Sequence, residues 1–164
     1  MAIIVEDGTE VANANSYAAH TDLSDYADLR NITLSIDQDV REGYLIEAMD
    51  FIANFNWKGE RLTTTQPLAW PRSGVVRDGQ FLPHDEIPRE LFYGQLALAI
   101  AAINNTLMPT LAANAKGPVI KEKVDVLEVG YANAARVLSV AADSTADALL
   151  KVLIRRSGLT VVRT

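Results

Sequence analysis

A chain of 164 residues with 49% apolar content is long enough for one domain with its own core, and too apolar for a disordered tract. It has no cysteine, which excludes disulfides, thiolate metal sites and cysteine nucleophiles together and suits assembly in the cytosol. The net charge of −6 is unevenly spread: residues 1–50 carry eleven acidic and two basic side chains, whereas residues 51–164 are net positive. An acidic chain is a poor candidate for strong DNA binding, because that affinity comes mostly from cations on phosphates.

Taken in chain order, residues 2–5 (AIIV) read as a short strand and residues 8–15 as a turn, with Asn15 or Ser16 capping a short helical turn. The run into Glu6 and Asp7 without a basic flank predicts no signal peptide. Thr21 is placed to cap a helix of about two turns through Arg30, with Asp22 favourable at its positive end. Ser35 and Gln38 spell a capping box for the clearest helix, predicted to end near Asn54. Leu45, Ala48, Met49 and Ile52 fall on one face of it, widened by Tyr44, Phe51 and Phe55.

Residues 56–84 hold three prolines, three glycines and two tryptophans, and predict a long ordered loop packed by its own side chains. A second long helix follows Asp85 or Glu86, with Pro88 in its first turn and Pro109 ending it. It is apolar nearly all round from Leu91 to Ile103, so it should be buried on most sides, in the core or between subunits. Its longest apolar run, Leu96 to Ile103, is far short of the roughly 18 residues of a membrane span.

Residues 119–132 change period, and a β-hairpin turning at Asp125–Val126 is predicted. Asp143 or Ser144 should cap a last helix through Arg156, with Gly158 in the position that ends helices. The fold class is therefore mainly α: a small helical bundle with a long ordered loop, a short β-hairpin and an extended C-terminal tail. Residues 1–158 form the domain and 159–164 the tail.

Sites of chemistry are hard to find. His20 and His84 belong to no metal-ligand spacing, no phosphate-loop motif occurs, and no active site converges on Glu6–Asp7 or Asp85–Glu86. The chain is therefore expected to hold no metal or cofactor and not to be an enzyme. The strongest local signal is residues 68–75, LAWPRSGV. Trp57 and Trp70 would serve as a base-stacking platform with Lys58, Arg61, Arg72 and Arg77 for phosphates, or Trp57, Trp70, Pro71 and Arg72 would anchor the long loop to the helices. The second reading is favoured. The tail LTVVRT is either a frayed end or a strand suited to adding onto a partner's sheet.

Several blocks occur in a set order: AIIVEDGT with NANSY, QPLAWPRSGV, the Ile87–Pro88 start of an Ala/Leu-rich helix, and IKEKVDVLEVGYA. Over about residues 2–155 they resemble a phage family often labelled DnaT-like single-stranded-DNA-binding, similar to the head–tail connector adaptors of long-tailed phages. The resemblance implies a ring of about twelve copies, closed by a single repeated interface, at the virion neck after assembly in the host cytoplasm. The ring would bind the phage portal protein on one side and the next neck or tail-completion protein on the other. Genomic DNA would pass through it without specific binding, and no membrane is involved. Arg155, Arg156, Leu159, Thr160, Val161, Val162 and Arg163 become portal-docking candidates. The acidic N-terminal third becomes a candidate lumen wall that repels DNA.

Overall fold

The computed structural model describes residues 2–104, 107, 119–123, 128–131 and 144–155. Among the described residues there are four helices: α1 (His20–Asp28), α2 (Gln38–Ile52), α3 (Arg89–Asn104) and α4 (Ser144–Leu150). Three two-stranded antiparallel ladders accompany them. β1 (Glu60–Arg61) pairs with β2 (Arg72–Ser73), β3 (Val76–Arg77) with β4 (Gln80–Phe81), and β5 (Val119–Lys123) with β6 (Glu128–Tyr131). The fold is mainly α with a hairpin, as the periodicity predicts.

α3 is the axis of the bundle. It packs against α1, α2 and α4, and its residues 94 to 99 are all buried, which is what a helix apolar on every side requires. Gly94 makes the α4 contact possible: a Cβ there would lie 2.4 Å from a methyl of Leu150. α2 contributes the predicted stripe, with Leu45, Ala48 and Ile52 fully buried and Met49 nearly so. One polar side chain ties these layers together. The Gln95 Oε1 accepts from the Tyr17 amide at 2.9 Å, and its Nε2 donates to Ser16 Oγ at 2.7 Å and to the Leu45 carbonyl at 3.2 Å. Gln95 is fully buried with all these groups satisfied, as a buried amide must be.

Several local expectations are corrected. Residues 2–5 are not a strand: Val5 makes one isolated bridge to Ser16, and Asn15 takes the remaining pairing itself through Ile4 N–H and the Ala2 carbonyl. Thr21 does not cap α1. The cap position is Ala19, whose amide donates to Asp22 Oδ2 at 2.7 Å, so the acidic residue reaches back from the first turn. α2 begins at Gln38, not Ser35, because Asp37 offers its carboxylate to the Asp39 amide at 3.0 Å while Ser35 Oγ accepts from Asp37 in a local turn. α4 stops at Leu150 rather than Arg156, since the chain becomes more favourably paired when extended. Leu153 accepts from the Lys58 amide at 2.9 Å, Ile154 bridges to Trp57, and the Arg155 amide donates to Asn56 at 2.7 Å.

The region 56–84 is not structureless either, for it contains four of the short strands. Asp78 and Gly79, both at positive φ (51° and 81°), join β3 to β4 as a two-residue hairpin. The turn of the β5–β6 hairpin, Pro109, Arg156, Gly158 and the tail 159–164 lie outside the described residues.

Candidate functional site

Trp57, Trp70, Pro71 and Arg72 come together beneath the long loop. Trp70 is completely buried and Trp57 nearly so, with their rings edge to face at 6.2 Å. Phe55 and Phe51 extend the same aromatic row. The Trp70–Pro71 peptide bond is cis, and Pro71 is buried. Arg72 acts as a clamp. Its guanidinium donates to the carbonyls of Lys58 at 2.7 Å, Gly59 at 2.8 Å and Ala69 at 3.1 Å. Burial first, then the nearby positive charges of Arg61 and Arg155, push this guanidinium below its usual pKa.

The neighbouring cations are used in the same way. Lys58 Nζ donates to the Val152 carbonyl at 2.7 Å, Arg61 to Leu68 at 3.1 Å and Arg155 to Gly59 at 3.0 Å. Arg77 is ion-paired to Glu90 on α3. Neither tryptophan ring therefore faces solvent as a stacking platform. Arg155, proposed from the sequence as a docking residue, contributes its amide and guanidinium to holding residues 56–59.

A second cluster was missed in the sequence. A concave cleft of about 500 Å³ opens between α1, α3 and α4, lined by Tyr26, Leu29, Arg30, Arg89, Tyr93 and Leu149, among others. The Arg30 guanidinium lies 3.5 Å from the Tyr26 ring centre, and that of Arg89 lies 5.1 Å from the Tyr93 ring centre. The two tyrosine rings are 6.0 Å apart. Each Tyr/Arg pair has i, i+4 spacing, Tyr26–Arg30 across the C-terminal end of α1 and Arg89–Tyr93 at the start of α3, which was legible in the sequence. That α1 and α3 bring the pairs together was not.

Apolar groups also stand in solvent. Ile36 is 96% exposed, Leu29 82% and Phe81 77%, and Val76, directly opposite Phe81 across the β3–β4 ladder, is exposed too. Of the histidines, His84 is exposed, while His20 is half-buried with its Nδ1 unpartnered. Among the described residues, no group of three or more His, Asp or Glu side chains is arranged to hold a metal ion, and no helix is long and apolar enough to cross a membrane.

A family model described as "Putative DnaT-like ssDNA binding protein" matches residues 1–164. The chain belongs to this family. No curated protein and no solved structure matches it. For a DnaT-like family member, the tryptophan loop is then a packed structural element, and the Tyr26–Arg30–Arg89–Tyr93 cleft is where aromatic and cationic groups meet at the surface.

Proposed function

We propose that this DnaT-like family member is a non-enzymatic assembly subunit, a head–tail connector that forms a ring between the portal and the tail of a phage. The observation that carries this reading is an inversion of the usual surface. The tryptophan rings are buried and Lys58, Arg61 and Arg72 are engaged by backbone carbonyls, while Leu29 and Ile36 on the α1–α2 connection and Phe81 on β4 are exposed. Phe81, backed by the exposed Val76 across the ladder, is suited to anchor in a partner's pocket, where a few buried residues carry most of the binding. The ordered sequence blocks that resemble connector adaptors support the same reading. The acidic residues of the N-terminal third would form a wall past which DNA slides.

The test is co-assembly with the cognate portal, imaged by electron microscopy, for the full chain, a version ending at Gly158, and Phe81→Ser with Ile36→Ser. A second ring stacked on the portal, lost in the double substitution, is the expected result. Loss on truncation would assign portal docking to Leu159–Thr164. No association of the full chain with portal rings would sink the connector reading.

A second reading, a single-stranded-DNA-binding module, is favoured by the family description and by the Tyr/Arg cleft. Retention on single-stranded DNA that falls steeply with salt would select it over the connector.

A further inference from the structure

We infer that the cleft between α1, α3 and α4 is a contact site for one or two nucleotides of a single nucleic-acid strand, with Arg30 and Arg89 on the phosphates. The inference rests on the second reading above and names the site that reading needs.

The cleft gathers two cations that the central loop does not use. Lys58, Arg61, Arg72 and Arg155 all donate to carbonyls of the long loop or of the segment beside it, and Arg77 is paired with Glu90. Arg30 and Arg89 are exposed; one Arg30 N–H donates to the Tyr26 carbonyl at 3.1 Å, and among the described residues neither side chain is in an ion pair. Each is held against a tyrosine face, so its guanidinium plane is oriented before any ligand arrives. A guanidinium fixed in this way presents its remaining N–H groups as a fork suited to phosphate oxygens.

Glu90, the acidic side chain lining the same cleft, is offset by Arg77, which leaves the opening net positive in a chain of net charge −6. Arg89 and Glu90 also begin α3, so the positive end of its helix dipole lies at the rim. Leu29, Leu149 and the half-buried Tyr93 supply an apolar wall on which one base can lie. The combination of paired phosphate ligands with a short apolar wall suits an unpaired strand, whose bases are free to turn toward the protein.

The experiment is titration of fluorescein-labelled oligo-dT by the full chain at several salt concentrations. It is repeated with Arg30→Ala/Arg89→Ala, with Arg61→Ala as an exposed cation outside the cleft, and with polyglutamate as competitor. The cleft predicts binding weakened at least tenfold by the double substitution and unchanged by Arg61→Ala. It also predicts a log–log salt slope reduced by roughly 1.4, about 0.7 for each lost phosphate contact. Circular dichroism of the double variant should match the parent, since both side chains are exposed. Binding that the double substitution leaves unchanged would overturn the site while leaving the single-strand reading standing. Failure of oligo-dT to bind, with polyglutamate bound and released by the double substitution, would instead make the cleft a site for acidic peptide. Failure of both to bind would overturn the site and the single-strand reading together.

Discussion

The backbone amide of Trp70 donates to the phenol oxygen of Tyr17 at 3.0 Å, across 53 positions of sequence. This bond fastens the long loop to the segment leading into α1, and the same Tyr17 residue is held through its amide by Gln95 of α3. Burial pushes the Tyr17 phenol pKa well above the ordinary tyrosine value. Up to about pH 9 the phenol is protonated in both folded and unfolded chains. At higher pH the unfolded chain releases this proton while the fold retains it, so stability must fall with each further unit. Tyr17→Phe should remove that alkaline component, and at neutral pH should cost about 1–3 kcal/mol by leaving the Trp70 amide unsatisfied. Urea melts at pH 7 and pH 10.5 measure both effects.

Gln95→Leu should destabilise the fold by more than its change in size suggests. The leucine would leave the buried Tyr17 amide without its partner, at about 1–3 kcal/mol, whereas the Ser16 hydroxyl keeps its bonds with Ala18. Chemical denaturation with an unchanged m-value would assign the loss to the native state. A cost below about 1 kcal/mol would mean the network is not needed.

Gly94→Ala sets two effects against each other. Alanine favours the helix by about 0.5–1 kcal/mol, but its methyl would meet Leu150 at 2.4 Å and force α4 outward. Overpacking of a core typically costs about 1–3 kcal/mol, so net destabilisation is expected. Shortening the opposing side chain with Leu150→Val should recover part of the loss, which a double-mutant cycle measures.

Gly59→Ala should loosen the tryptophan loop. Gly59 has φ of +68°, and a Cβ would lie 2.2 Å from the Ser73 carbonyl oxygen. Its own carbonyl receives both Arg72 and Arg155. The expected readout is faster amide exchange in residues 56–61 and 152–155 at little change in helix content.

Tryptophan emission should be blue-shifted and resist acrylamide in the free protein, because both rings are buried. It should stay unchanged when single-stranded DNA is added. Direct quenching of Trp57 or Trp70 by bound bases would require the loop to open and would restore the stacking-platform reading of that loop. Trp70→Ala is expected to cost about 3–5 kcal/mol, as a fully buried tryptophan does.

The mainly helical character was legible from residue spacing alone, because helical periodicity is a local property. Leu45, Ala48, Met49 and Ile52 had to share a face, and a helix as apolar as α3 had to lie at the centre. The sequence also marked residues 68–75 as important without saying to what. Boundaries were less legible. The α2 start was misplaced by competition between Ser35 and Asp37, two residues apart with the same capping chemistry. The Asp78–Gly79 hairpin was readable from its turn dipeptide and was hidden among the other breakers around it.

The remaining features come from contacts between distant parts of the chain. The end of α4 depends on Asn56, Trp57 and Lys58, which offer extended pairing from nearly a hundred residues away. The fate of each cation depends on which carbonyls face it: Arg72 and Arg155 end as clamps on loop carbonyls, whereas Arg30, with one N–H on the Tyr26 carbonyl, and Arg89 stay exposed beside tyrosines. Composition counts such charges alike. Long-range packing separates them, because a guanidinium is free to meet a partner only where the fold has not already surrounded it with acceptors.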